Sequence, residues 1–163
     1  MQSSRLFRSA KGESEFLAAY DAAMRLWPVP FQRRRLHTRF GKTHAISCGD
    51  ESAPPLVLLH CALMSSAVWG PVIGELAARF RVHAVDVIGD MGRTLPAEPP
   101  SNPAGFADWL AETLDGLDLE QTMLVGWSFG GFVAANFALH HPARVVRLGL
   151  LAPFAVFTLS LIH

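Results

Sequence analysis

One short segment constrains the fold of this chain more than any other: residues 126–130 read Gly-Trp-Ser-Phe-Gly. The apolar run Gln121–Val125 precedes it and predicts a short buried strand. The small-residue run Phe129–Leu139 follows it and predicts a helix packed closely on a sheet. A strand that turns directly into a helix around Gly-x-Ser-x-Gly forces the central serine into a strained backbone conformation. The pattern therefore predicts an α/β sheet with the Ser128 hydroxyl raised above its edge.

The chemistry of this turn favours a nucleophilic role for Ser128. Glycine is expected at 126 and 130, because a Cβ at either position would collide with the neighbouring strand or helix. The turn also places the hydroxyl at a helix N-terminus, where backbone N–H groups and the helix dipole favour developing negative charge. A Gly-Ser cluster after a strand is also an ordinary turn. The flanking strand and helix, together with Gly131, favour the catalytic interpretation.

A second apolar run predicts the loop that would stabilise that charge. Pro55–Leu59 is continuously apolar, as expected for a strand buried on both faces of a parallel sheet, and it leads into His60-Cys61-Ala62. An oxyanion hole next to such a serine uses two backbone N–H groups, one from the residue after the nucleophile and one from this loop. The first is Phe129. By position the second is Ala62, with Cys61 close enough to compete.

The remaining patterns complete a single α/β domain over residues 1–163, with a mostly parallel sheet, helices on both faces and an antiparallel hairpin opening the sheet. A leading helix at 14–27 is expected to pack on the sheet edge or to contact a bound acyl group, and packing is the preferred role. The core spans 35–151. Its other predicted elements are the hairpin strands Arg35–Phe40 and Thr43–Ser47 with a turn at Gly41-Lys42, helices at 69–80 and 102–117, and strands at 81–85 and 145–151.

These motifs together resemble the N-terminal portion of an α/β-hydrolase-fold serine hydrolase, the superfamily of esterases and lipases. The matching segments are 58–62 for the oxyanion loop, Asp86-x-x-Gly89 for the loop after the fourth strand, 126–131 for the serine turn and 140–145 for the entry to the next strand. Two departures stand out. Cys61 replaces the usual glycine after the histidine, and Asp90 replaces a usual histidine in a loop that is one residue longer.

The resemblance implies a triad in the chain order serine, acid, histidine. No acidic residue follows Glu120, and His140 and His141 lie about 18 Å along the helix from Ser128 at about 1.5 Å per residue. His163 is the last residue, with no carboxylate after it to orient it. The sequence therefore predicts a truncated hydrolase whose serine lacks its base, so the activity of this polypeptide alone is uncertain. The alternative is a noncatalytic remnant, or a module that pairs with another chain.

Composition excludes several other functions. Fourteen basic residues balance fourteen acidic ones, so no net field attracts nucleic acid or an anionic membrane. The cluster Arg33–Arg35 is interpreted as a solvated strand entry in preference to a phosphate site. A Cys61–His60 nucleophile is disfavoured because neighbours at a strand end point to opposite sides. A metal site built from His60, Cys61 and His83 is disfavoured because its spacing matches no recognised ligand pattern. We expect no metal, no cofactor and no disulfide.

The expected ligand is a small-molecule acyl substrate, with His60 and Trp127 as further candidate pocket residues. The apolar run 148–162 contains a proline and is shorter than the roughly 20 residues a membrane helix needs. It therefore predicts a buried strand and the start of an apolar cap. Without cover, its edge would favour self-association. The N-terminus lacks the apolar stretch of a secretion signal, so a cytoplasmic location is predicted.

Overall fold

A computed structural model describes residues 7–154. In chain order the elements are α1 (Ala10–Arg25), β1 (Phe31–Thr38), β2 (Gly41–Cys48), β3 (Pro55–Leu59), α2 (Gly70–Ala77), β4 (Arg81–Val85), β5 (Leu95–Pro96), α3 (Pro103–Gly116), β6 (Thr122–Trp127), α4 (Phe129–His140) and β7 (Val145–Leu151).

The seven strands form one sheet. Six of them lie in the order β1-β2-β4-β3-β6-β7, and the short strand β5 pairs with β2. The strand β2 runs antiparallel to β1 and β4, whereas β3 runs parallel to β4 and β6, and β6 runs parallel to β7.

The sheet separates two apolar cores, which confirms the predicted α/β class with helices on both faces. On one face α1 and α2 pack through Tyr20, Met24 and Ile73. On the other, α3 and α4 pack through Trp109 and Phe137, both fully buried. Among the described residues, no helix combines the length and apolar character that crossing a bilayer requires.

Two predicted boundaries at the start of the chain were wrong. The leading helix begins at Ala10, because the Ser9 hydroxyl caps it by accepting a hydrogen bond from the Gly12 N–H at 3.1 Å. The helix ends at Arg25. The hairpin turn lies at residues 39–40, and Gly41 is already the first residue of β2. At Gly41 φ is +139°, and a Cβ there would overlap the backbone of β5. This glycine therefore serves a close strand approach and not the turn itself.

The helix predicted at 69–80 divides into a 3-10 turn, Ser66–Trp69, and the shorter helix α2. Pro71, in the first turn of α2, suits a helix start because its missing N–H would have had no intrahelical partner. The helix predicted at 102–117 is α3, capped by the Asn102 side chain at 2.8 Å from the Gly105 N–H. These small corrections leave the placement of the serine turn unchanged.

At the far side of the sheet, β7 exposes apolar side chains. Val146 is 59% exposed and Leu148 is 40% exposed, and among the described strands none pairs with the outer edge of β7. The predicted cap after this strand falls within residues 155–163, outside the described part of the chain.

Candidate active site

Ser128 is the single residue between β6 and α4. Its backbone has φ 52° and ψ −111°, which a residue with a side chain rarely adopts and which costs about 1–3 kcal/mol. Neighbouring backbone holds it there. The Ser128 N–H donates to the Leu151 carbonyl at 2.8 Å, and its carbonyl accepts from the N–H groups of Phe132 and Phe154, each at 3.0 Å. The turn is therefore neither a continuation of the helix nor a loose loop.

The glycines on either side permit the close approach that this bend needs. A Cβ on Gly126 would overlap the carbonyl of Gly130, and one on Gly130 would overlap the carbonyls of Leu59 and His60. The Gly130 N–H donates to the His60 carbonyl at 3.1 Å. The start of α4 thus packs directly against the end of β3, which brings the two predicted oxyanion segments together.

The Ser128 side chain is half-buried, and its hydroxyl has no hydrogen-bond partner among residues 7–154. His140 and His141 lie at the opposite end of α4. Nδ1 of His140 donates to the Asn136 carbonyl at 2.9 Å, and the His141 ring stacks on Phe137. Within the described chain, neither of these two histidines is placed to accept the serine proton.

A cavity of about 430 Å³ opens beside the turn, and we call it the elbow cavity. Ala62 and Phe129 both line it, and neither backbone N–H has an acceptor among the described residues. Cys61, the competing donor in the sequence interpretation, does not line the cavity. The other residues that line the elbow cavity include Ile88, Asp90, Pro100 and Phe106. The volume falls in the range of small-molecule sites, and the lining is largely apolar with one carboxylate.

Asp90 fixes the conformation of the loop after β3, which is predicted to supply an oxyanion donor. Its carboxylate oxygens accept from the Leu63 N–H at 2.9 and 3.1 Å, and Leu63 has φ +62°. The same carboxylate accepts from the Met91 N–H at 2.7 Å. Asp90, where the sequence departs from the usual histidine of the family, therefore links the loop after β3 to the loop after β4 beside the elbow cavity.

His60 lies behind the oxyanion loop and does not line the elbow cavity. It is fully buried, its Nε2 accepts from the Val87 N–H at 2.8 Å, and its Nδ1 is 2.9 Å from the Cys61 carbonyl. Because Nε2 accepts, Nδ1 carries the proton and donates. With both nitrogens engaged, this neutral ring supports the loop and has no free atom to offer a ligand.

Trp127, the second candidate pocket residue, also does not line the elbow cavity. Trp127 is 36% exposed and packs edge-on against Trp69, with ring centroids 6.3 Å apart. Phe129 instead meets Phe106 edge-on at 5.7 Å, on the cavity side. Phe106, which sequence reasoning missed, supplies apolar surface where Trp127 was expected to.

A buried polar cluster anchors the loop after β4. Asp86 is fully buried; it accepts from the backbone N–H and hydroxyl of Ser66 at 2.8 and 2.6 Å, and from the Arg93 N–H at 2.8 Å. Nδ1 of His44 lies 3.0 Å from its second oxygen. Burial acts to raise the pKa of Asp86, but the hydrogen bonds from His44 and Ser66 outweigh burial and lower it. The carboxylate is therefore ionised and acts as a structural acceptor.

Sequence reasoning missed three members of this cluster: His44, Ser66 and Tyr20, whose hydroxyl lies 2.9 Å from Ser66 Oγ. The only sequence signal that could have indicated this cluster was the presence of polar side chains within otherwise apolar segments. Because Tyr20 belongs to α1, the contact ties the leading helix to the loops around the site, in line with the packing role expected for it.

The cysteines offer no alternative nucleophile. Burial raises the pKa of the Cys61 thiol and the Asp90 charge adds to the rise, so the unreactive protonated form dominates at neutral pH. The neighbouring His60 has no free nitrogen with which to activate it.

Residues 7–154 contain no group of three histidine, cysteine, aspartate or glutamate side chains arranged as metal ligands.

Comparison with known proteins identifies the family of this chain. Residues 54–161 match the model of the alpha/beta hydrolase fold family. The chain is 40% identical over 157 residues to carboxylesterase YbfK of Bacillus subtilis, covering 96% of this chain and 53% of that protein. It is 39% identical over 142 residues to the uncharacterized carboxylesterase nap of the same species, covering 87% and 47%.

Among solved structures, naproxen esterase from Bacillus subtilis superposes with a TM-score of 0.86 at 39% identity, covering 90% of this chain and 51% of that one. The chain thus spans about half the length of these relatives. The family match covers well over half of the chain, and the relatives are carboxylesterases of the same fold. This chain belongs to the α/β-hydrolase fold family.

Proposed function

We propose that this chain carries the nucleophile half of a serine carboxylesterase site, with Ser128 as the nucleophile and the N–H groups of Ala62 and Phe129 as the oxyanion donors. The backbone conformation of Ser128 is the observation that carries the proposal. A residue with a side chain held at φ 52° and ψ −111° between a strand and a helix is strained, and strain of this kind clusters at active sites.

In the proposed reaction, Oγ of Ser128 bonds to the carbonyl carbon of an ester while the serine proton passes to a base. The carbonyl oxygen becomes an oxyanion within reach of the two free N–H groups, and the alcohol leaves with a proton as the acyl-serine forms. Water then releases the carboxylate. The base and its orienting acid would come from outside residues 7–154, as in the order implied by the family.

The substrate we propose is a small ester with an apolar acyl or alcohol group. The elbow cavity supports this choice, because Ile88, Phe106 and Phe129 make its wall mostly apolar. The named relatives are carboxylesterases, one of them called a naproxen esterase, which also favours a compact apolar ester.

A fluorophosphonate probe tests the nucleophile directly. The serine oxygen displaces fluoride from phosphorus, so labelling needs an accessible hydroxyl and an oxyanion site but no ester turnover. Without the base, which the proposal places outside residues 7–154, labelling is slow. We expect the folded wild-type chain to be labelled, Ser128→Ala to lose the label, and Ser14→Ala, which alters an exposed helix position, to retain it. Peptide mapping by mass spectrometry locates the adduct.

A folded chain that takes no label, or one labelled equally in Ser128→Ala, would contradict the nucleophile role proposed for Ser128. It would favour the second candidate, a noncatalytic module that associates with another chain. The observation for that candidate is the exposed apolar edge of β7, with Val146 and Leu148 uncovered. Sedimentation of the wild type against Val146→Lys/Leu148→Lys tests it, since self-association through this edge should be lost in the double variant.

A further inference from the structure

We propose that a second cavity, remote from the serine turn, binds a small organic oxyanion with a compact apolar body. This cavity of about 500 Å³ lies between α1, β1 and the loop after β4, and we call it the α1 cavity. It shares no lining residue with the elbow cavity. The proposal is therefore independent of the esterase chemistry proposed above.

The strand geometry decides which arginines can serve the α1 cavity. In β1, Arg35 pairs with His44 of β2, and Arg33 lies two residues earlier on the same face. Leu36 packs in the opposite core, against α3, so Arg34 shares that other face. Arg33 and Arg35 therefore present side chains to the α1 side, whereas Arg34 borders the cavity through its backbone.

The charges on this side leave one cation available. Asp21 accepts from Arg33 at 2.8 Å and from Arg93 at 2.6 Å, so it bridges two guanidinium groups. Glu13 also lines the cavity. Counted with the ionised Asp86, which contacts His44 and the Arg93 N–H, three carboxylates face three arginine cations here, so the available cation is the arginine that no carboxylate reaches. Arg35 has no carboxylate within ion-pair distance among the described residues.

Two unsatisfied polar atoms belong to residues that line the same cavity. Within the described chain, Nε2 of His44 and Nε of Arg93 are buried without a hydrogen-bond partner. His44 is 7% exposed, and its Nδ1–H donates to the Asp86 carboxylate, so Nε2 of the neutral ring is an acceptor and offers no hydrogen to an oxyanion. Buried polar atoms are rarely left unpaired, and the oxygen of a bound oxyanion would accept from the Nε–H of Arg93, which is always a donor. Arg93 keeps a quarter of its side chain exposed, which allows its guanidinium to turn towards such a group.

The rest of the wall defines the ligand class. Phe7, Leu17 and Leu95 are apolar, and they face the same cavity as the arginines. A carboxylate or phosphate attached to a short hydrocarbon body matches both halves of this lining. A carboxylate on a six-carbon chain is a suitable probe.

Isothermal titration calorimetry on the purified 163-residue chain tests the proposal with four probes: hexanoate, hexyl phosphate, inorganic phosphate and hexan-1-ol. We expect binding of hexanoate and hexyl phosphate, weaker binding of inorganic phosphate and none of hexan-1-ol. The two organic anions distinguish a carboxylate ligand from a phosphate ligand. Ser128→Ala should bind as the wild type does, which separates this result from any failure of the esterase proposal.

Three variants place the ligand. Arg35→Gln should weaken hexanoate binding about tenfold, as expected for the loss of a charged hydrogen-bond donor. Arg34→Gln, one residue away on the opposite face, should leave it unchanged. Glu13→Gln removes a competing negative charge from the wall and should tighten binding about two- to threefold. Circular dichroism melts confirm that each variant folds.

Absence of binding by both organic anions would overturn the proposal, as would equal losses in Arg34→Gln and Arg35→Gln. Inorganic phosphate binding as tightly as hexanoate would overturn the assignment of an apolar ligand body. If Arg35→Gln does not fold, the sign of the Glu13→Gln effect decides, because weaker or unchanged binding in that variant contradicts an anion in this cavity.

Discussion

Two buried polar groups lie at different points of the same sheet and differ in how completely they are paired. Around Asp86, each carboxylate oxygen has two partners, and the cluster links β2, the loop after β3 and the loop after β4. In the second group, Ser47 Oγ lies 2.8 Å from His83 Nδ1, while Nε2 of His83 is buried without a partner in the described chain. The difference shows that a buried charge persists where it is fully satisfied, whereas a half-satisfied ring remains neutral.

Removing the fully paired carboxylate should have the largest effect. Asp86→Ala leaves His44 and the N–H groups of Ser66 and Arg93 without their acceptor. We expect a loss of about 3–5 kcal/mol in the free energy of unfolding, as for other broken buried charge networks. Urea denaturation followed by circular dichroism measures it. Asp108→Ala, which removes an exposed carboxylate beside Arg39, is the control and should cost less than about 1 kcal/mol. Similar losses in the two variants would contradict the comparison.

The half-paired histidine should make stability depend on pH. Burial, with smaller contributions from the Arg81 and Arg34 charges, lowers the pKa of His83 to about 4 from its ordinary 6.5. Below pH 6.5 the unfolded chain therefore binds a proton that the folded chain does not. Stability from this group is complete above pH 6.5 and falls as the pH drops to about 4, by about 3 kcal/mol in all.

Denaturation series between pH 7 and 4 measure this loss. His83→Gln should flatten the profile over that range, because glutamine does not titrate. A variant profile as steep as that of the wild type would assign the loss to other groups. The stabilisation by the Asp86 carboxylate is lost only below this pH range, since its pKa lies below its ordinary value of 3.8.

The smallest effect should come from the outer member of the Asp86 cluster. Tyr20→Phe removes the hydroxyl that lies 2.9 Å from Ser66 Oγ, yet Ser66 keeps its bond to Asp86. We expect a loss of about 1 kcal/mol, the usual value for one neutral hydrogen bond. Hydrogen exchange should show faster opening of α1 with the sheet unaffected. A loss as large as that of Asp86→Ala would mean that the tyrosine organises the cluster.

The central elements were predictable because their signals are local. The strand β3 is a continuous apolar run and β4 and β6 are mostly apolar, and the glycines at 126 and 130 mark the serine turn within five residues. The hairpin turn and the start of α1 were misplaced, because a glycine and a serine each fit more than one local role. Gly41 is required by the approach of β5, which lies more than fifty residues later in the chain.

The candidate site was only partly predictable, because its supporting contacts join distant residues. His44 and Asp86 lie 42 positions apart, and Leu63 and Asp90 lie 27 apart. His60 was expected to line a pocket because it precedes the oxyanion loop, but its side chain turns inward to accept the Val87 N–H. The direction of one side chain at the end of a strand depends on tertiary contacts that no local pattern encodes. The catalytic role of Ser128 and the oxyanion role of Ala62 and Phe129 stay predictions.

The bend at Ser128 is held by β7 and the residues just after it as much as by its own glycines. Its N–H is fixed by Leu151 and its carbonyl receives the Phe154 N–H. A chain shortened to end before residue 151 would lose both restraints, and α4 could then extend backwards by one residue through position 128. The geometry of the hydroxyl is thus a property of the sheet's outermost strand, and the shortest fragment that keeps it must reach residue 154.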